Sequence, residues 1–347
     1  MVERRPVERA AKLDPSVVEE FVVARHARIG ADLARRARRR EAERRRLAVL
    51  QAEAAQAGQP PPRLRRPHLA SAKAGGPLQF EVVPSQFSAI GFTVTSGEDL
   101  AALASRVAER ADTVNARDGQ YLKWSPPSGE QLWLQVKHTG DAMGMNPHFE
   151  GKSSVRLAIE ARVTRSSHTP LDGTFLAWAN PPESGVGGEY PLAFDCPDAA
   201  VHEAMTLPVC VVAQIAAFAQ QLTVHDSEAA YLADQAAQGL SFESRSFIPS
   251  GLISPSGEPV TPPESHALFT GHVLEAAERT NTVTGDSFWW ALVDSQGGTF
   301  DVVIDPSLLS KPIRAGNVVS GWFWLSGRIR RGSAPRSGWF KKLTRRT

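Results

Sequence analysis

Four apolar runs near the C-terminus, Ala267–Glu275, Phe288–Val293, Thr299–Ile304 and Val318–Gly327, are separated by breaks that each carry a turn mechanism. Thr284-Gly285-Asp286 and Gln296-Gly297-Gly298 supply positive φ and local side-chain hydrogen bonds. Asp305-Pro306-Ser307 opens a short helical turn through Leu309. The pattern predicts a long strand, a hairpin, a short helix and a returning strand.

The rest of the 347-residue chain is less explicit. The length predicts two or three domains with a substantial core, and 42% hydrophobic with 22% charged residues is ordinary for a globular protein. Cys196 and Cys210 cannot build a disulfide framework, which points to a reducing cytoplasm. No apolar run reaches the ~20 residues of a membrane span. The N-terminus is charged from Glu3 onward, so no secretory signal is expected.

Charge is segregated. Residues 1–68 hold 17 Lys and Arg against 9 Asp and Glu, a net of +8, and residues 326–347 hold 8 basic residues and no acid. The body between them carries −14. Contacts with polyanions are therefore expected from the ends of the chain rather than its middle.

Taken in order, Asp14-Pro15 starts a helix running to about Ala57. Its second half holds Arg35, Arg36, Arg38, Arg39, Arg40, Arg44, Arg45 and Arg46. Arginines all round a helix leave no face to bury, so this arm is either a solvated helix or a contact for nucleic acid, an acidic protein or an anionic surface. Gln59–Pro67 and Ala70–Pro77 read as linkers. The central domain, 78–254, opens with a strand over Phe87–Val94 and a helix over Glu98–Arg117 capped by Ser96. A hairpin follows, Gln120–Trp124 with Leu132–Lys137, and then a loop containing Met143–His148. Strands are expected over Val155–Thr164, Thr174–Trp178, Leu192–Asp195 and Leu207–Val224. Asp226 caps a helix over Ser227–Gln238, and Phe242–Ile253 is extended.

Two resemblances follow. The element order over 264–329 resembles an OB-fold barrel of an uncharacterised bacterial type. Its usual fifth strand is missing after Ile329, so another segment, such as Phe242–Ile253, must close it or the domain is incomplete. The β-α-β-β-β order over Phe87–Val163 distantly resembles a module of the vicinal-oxygen-chelate (glyoxalase-like) enzymes, which implies metal ligands on facing strands. Phe87–Val94 offers no His or Glu for that role.

The chemistry is sparse. His138, Asp141, His148 and Glu150 are the densest set of acid–base or ligand groups, and His138 and His148 are the candidates for a metal, but their spacing fits no compact motif, so none is assigned. Cys196 and Cys210 read as small core groups. GxGxxG after a strand, GxxxxGK[ST] and GxSxG are all absent. The barrel stretch carries Trp289, Trp290, Trp322 and Trp324, rings that could form a contact surface. Its net charge of −4 over 264–327 makes it a poor platform for phosphates. The basic tail, 330–347, includes Lys341 and Lys342 as further polyanion contacts.

The sequence thus predicts an α+β protein: a basic N-terminal helix, a central α+β domain with a mostly antiparallel sheet, and an all-β barrel. The function expected is non-enzymatic binding through protein–protein contacts in the cytoplasm, without a cofactor. The alternatives are low-specificity nucleic-acid binding through the termini and a metal-dependent enzyme with a glyoxalase-like central domain.

Overall fold

The computed structural model describes residues 85–183, 185, 187–238, 242–249 and 263–330. The expected arginine-rich helix, both linkers and the basic tail beyond Arg330 lie outside these residues.

The expectation of an α+β protein is overturned. The described residues form thirteen strands and only two α-helices. A small antiparallel sheet holds β1 (Asp112–Ala116), β2 (Gly119–Trp124), β3 (Glu130–Val136) and β4 (Ala142–Phe149) in sequence order. The other nine strands form one large sheet: β5 (Val155–Val163), β6 (Thr174–Ala179), β7 (Tyr190–Asp195), β8 (Val209–His225), β9 (Ser246–Ile248), β10 (His266–Thr280), β11 (Ser287–Ser295), β12 (Gly298–Ile304) and β13 (Val318–Arg330).

The large sheet closes on itself twice. β10 pairs with β11, β11 with β12, β12 in parallel with β8, β8 with β13, and β13 back with β10. The four expected C-terminal strands are thus present, and β8 supplies the closing strand from upstream. The segment around Phe242–Ile253 contributes only the three-residue β9, which pairs with β10. A second circuit runs β8–β5–β6–β7–β13, its last link the single parallel pair Asp195–Ser326. Both circuits share the β8–β13 ladder.

Alternation along these strands builds one core through both circuits. On β8, Ala213, Ile215, Ala217 and Ala219 point inward, together with Phe175 and Phe194 of the second circuit and Phe300 and Phe323 of the first. The small alanines leave room for larger neighbours, among them Phe269 and Phe323, stacked with centroids 4.0 Å apart. Ala216 and Phe218 point outward and are covered by the small sheet, together with Trp290, Val303 and Trp324.

Several local expectations also change. Residues 87–94 form no strand: Ser88–Ile90 is a 3-10 turn that buries Ala89 and Ile90, so the glyoxalase-like order lacks its first strand. Helix α1 spans Gly97–Ala108, with Ser96 and Asp99 forming a reciprocal capping box, and stops short of Arg117. The residues beyond it become β1, whose Thr113 and Val114 are β-branched and pair with Leu122 and Tyr121. The loop expected at Met143–His148 is strand β4, which tolerates Pro147 because it lies at the edge of the small sheet. Helix α2, Glu228–Ala237, is capped by Ser227 rather than Asp226. No described helix is long and apolar enough to cross a membrane.

Phe323 is fully buried and stacked in the shared core. Phe323→Ala is expected to lower unfolding free energy by about 3–5 kcal/mol in denaturant titration, and Phe323→Leu by less, because Leu keeps more of the filled volume.

Candidate functional site

Three polar nodes, two of them buried and one half-buried, lie where the small sheet meets the two circuits. The first centres on Asp301 of β12, which has no exposed surface. Its Oδ1 accepts from Lys152 N and Trp290 Nε1, both at 2.9 Å. Its Oδ2 accepts from Ser153 N at 2.8 Å and Gln214 Nε2 at 2.7 Å. Four donors satisfy a buried carboxylate. The chain approaches so closely that a Cβ on Gly151 would lie 2.2 Å from the Asp301 Cγ, which is why residue 151 has no side chain. Gln214 passes the network on: its Oε1 accepts from His148 Nε2 at 2.9 Å. His148 Nδ1 then accepts from the Ser326 hydroxyl at 2.9 Å. Burial, reinforced by the Arg328 guanidinium, pushes the His148 pKa down to about 3, so the ring is a neutral bridge from β4 to β8 and β13.

The second node is Asp195, at the end of β7. Burial alone would raise its pKa, but Arg165 and hydrogen bonds from Thr174, Ser265 and Trp324 outweigh that and hold it below the usual carboxylate range. Trp324 Nε1 donates at 2.8 Å, Arg165 Nη1 at 3.0 Å and Ser265 Oγ at 2.7 Å. This carboxylate ties β7 to β6, β13 and the start of β10.

The third node follows directly in sequence. Cys196, Asp198 and His202 lie on the turn after β7 and the 3-10 helix Ala199–His202, with exposures of 1%, 5% and 8%. The Cys196 thiol donates to Asp198 Oδ1 at 3.1 Å, and His202 Nε2 stands 3.6 Å from the same oxygen. Asp198 Oδ2 accepts from Arg328 Nε and Nη2 at 3.2 and 3.1 Å. Arg328 also lies over the Trp133 ring, 4.8 Å from its centroid. Burial and the neighbouring Asp198 push the Cys196 thiol well up, which opposes a role as a nucleophile. Burial would raise Asp198 as well, but the Arg328 guanidinium and the Cys196 thiol bonded to it hold it far below the usual carboxylate range.

The residues singled out from sequence are dispersed. His138 is exposed, with Nε2 2.9 Å from the Arg117 carbonyl, while His148 is buried with both nitrogens engaged, so the two share no site. Trp290 and Trp324 are buried, at 2% and 7% exposure, Trp289 is half-buried, and Trp322 alone of the four is substantially exposed, at 38%. Cys196 belongs to the core as expected, but Cys210 is exposed. The polyanion candidates Arg35, Arg36, Arg38, Arg39, Arg40, Arg44, Arg45, Arg46, Lys341 and Lys342 lie outside the described residues. Sequence reasoning passed over Asp301, Gln214 and the Cys196–His202 turn. Two shallow clefts beside α1 measure about 160 and 100 Å³, against the roughly 300 Å³ where small-molecule pockets begin.

The His148 node carries a pH dependence. Its folded pKa is about 3 against the ordinary 6.5, so the unfolded chain binds the extra proton between these values. Its contribution is complete above pH 6.5 and is lost as pH falls towards 3, at up to about 1.4 kcal/mol per pH unit. Denaturant titrations of His148→Gln, whose amide cannot protonate, are expected to show a shallower fall than wild type over that window. Parallel curves would mean that His148 titrates normally.

Comparison with known proteins finds no matching family model, no matching curated protein and no matching solved structure.

Proposed function

We propose that the chain is a cytoplasmic binding protein that acts through protein–protein contact. The observation that carries this is a row of apolar side chains on the outer face of the large sheet. Ile248 of β9, Leu268 of β10 and Trp322 of β13 stand opposite one another in register and are 40%, 36% and 38% exposed. Directly opposed residues on neighbouring strands share a face and touch, so the three side chains form one patch. An exposed Trp beside aliphatic neighbours matches the composition of protein interfaces. Among the described strands β9 pairs with β10 alone, which leaves its other edge open to an added extended segment. The two free thiols accord with a reducing compartment.

The closed order β10–β11–β12–β8–β13, with its one parallel pair, supports reading the C-terminal circuit as an OB-like barrel whose fifth strand arrives from upstream. In such barrels the face of the second and third strands takes oligonucleotides. Here that face holds Trp290, Leu292 and Val303, packed beneath the small sheet. The barrel is therefore a poor candidate for base stacking, and any nucleic-acid contact falls to the basic termini. A glyoxalase-like metal site has no support from His138 and His148, which stand apart.

The test is a pull-down with the full chain after nuclease treatment, comparing wild type with a Leu268→Ser/Trp322→Ser double variant of matching melting temperature. Proteins retained by wild type and lost from the variant are expected. Retention that vanishes with nuclease favours the termini and nucleic acid, and equal retention by both chains removes the apolar row from the proposal.

A further inference from the structure

We infer that Cys196, Asp198 and His202 form a binding site for a transition-metal ion of the Zn²⁺ class. The thiol Sγ, a carboxylate oxygen and an imidazole nitrogen lie within 4.8 Å of one another. Tetrahedral Zn²⁺, with bonds of about 2.0–2.3 Å, needs ligand atoms roughly 3.3–3.8 Å apart. The Cys196–Asp198 and Asp198–His202 separations of 3.1 and 3.6 Å are already near that spacing. Closing around an ion needs only small side-chain shifts.

A second observation points to a ligand. His202 is 92% buried, yet its Nε2 makes no hydrogen bond. Asp198 Oδ1, at 3.6 Å, lies beyond hydrogen-bond range. A buried imidazole nitrogen left unbonded carries the full desolvation penalty, and buried polar atoms in folded proteins are seldom left so. A turn serving packing alone has no need of this arrangement, whereas a metal ion between the three side chains satisfies the nitrogen directly.

The surroundings fit the ion's charge. Binding releases the Cys196 proton to solvent, and the thiolate sulfur donates its lone pair to the ion, as do Asp198 Oδ1 and the neutral His202 Nε2. Thiolate and carboxylate offset the two positive charges. Arg328 holds Asp198 Oδ2 from outside, leaving Oδ1 for the ion, and has its own counter-charge in Glu150 Oε2 at 3.7 Å. Tyr121 is not the fourth ligand: its hydroxyl donates to the Leu171 carbonyl and accepts from Ala200 N. The fourth position is left for water. A thiolate with an imidazole selects Zn²⁺, Co²⁺ or a related ion over Ca²⁺ or Mg²⁺.

The test uses the full chain, stripped with a chelator and titrated with Co²⁺, which reports thiolate ligation as a near-ultraviolet charge-transfer band. The band is expected to saturate at one ion per chain, to persist in Cys210→Ser and to be absent in Cys196→Ser. Zn²⁺ should displace Co²⁺ and raise the melting temperature of wild type. His202→Asn should weaken binding by roughly 10–100-fold or more, and metal-free melting curves establish that each variant folds. The assignment is overturned by a wild-type titration without the band, by a band that follows Cys210, or by equal Zn²⁺ stabilisation of His202→Asn and wild type.

Discussion

Two strands far apart in sequence, β8 and β13, run side by side from the pair Val318–His225 to Arg330–Val212. Each also has a second edge, and both circuits close through those edges. The middle of β8, Ala216 to Phe218, meets β12 and its N-terminal part meets β5, while β13 meets β10 over its first half and β7 at Ser326. Without this ladder the strands would remain one ring through β12–β8–β5 and β7–β13–β10, but β8 and β13 would each leave a row of hydrogen-bonding groups without partners across the interior. The long run of Ala, Val and Ile on β8 follows from that position: one face lines the shared interior and the other carries the small sheet.

The small sheet is held by specific polar bonds as well as by area. Apolar contact between Phe149, Trp290 and Phe218 is non-directional and would tolerate sliding. Asp301 and the neutral His148 do not tolerate it, because a shift would leave a buried carboxylate or ring nitrogen without partners. The chain from Trp290 through Asp301, Gln214 and His148 to Ser326 therefore fixes the register between layers at the seam. The absence of a side chain at Gly151 is part of the same fit.

Local structure was legible wherever its cause was local. The C-terminal strands carried their own turns, and Leu207–Val224 showed enough alternation to be read as extended. The errors share a source in tertiary context. Alternation over Phe87–Val94 reflects a 3-10 turn inserted under β11, with Asn281 Nδ2 donating to the Ile90 carbonyl at 2.8 Å. Pro147 and Gly144 look like loop residues until β4 is seen to be an edge strand. Helical periodicity in α1 gave no warning that Thr113 and Val114 would find a strand partner. Barrel closure by β8 was hidden because about forty residues separate it from β10, and pairing at that distance leaves no mark on either segment. The polar nodes did leave one. Asp301 is a lone acid in a Phe-Asp-Val-Val-Ile run and Gln214 a lone amide in the apolar run Val209–Ala219, and a buried polar side chain in such a run needs a partner from elsewhere.

The apolar row and the Cys196 turn are joined by one carboxylate. Asp195 receives Trp324 Nε1 from β13 and Ser265 Oγ from the residue before β10, and the next residue in the chain is Cys196. Trp322 and Leu268 lie two and three residues from those two anchors, on the strands whose pairing places them side by side. An ion drawn between Cys196 and His202 would therefore stiffen the backbone that orients Asp195, and through it the strands beneath the apolar row. A helix bundle could route such coupling through several flexible contacts. Here two strands and a single half-buried carboxylate would carry it, because a sheet that closes on itself gives neighbouring strands little freedom to move independently.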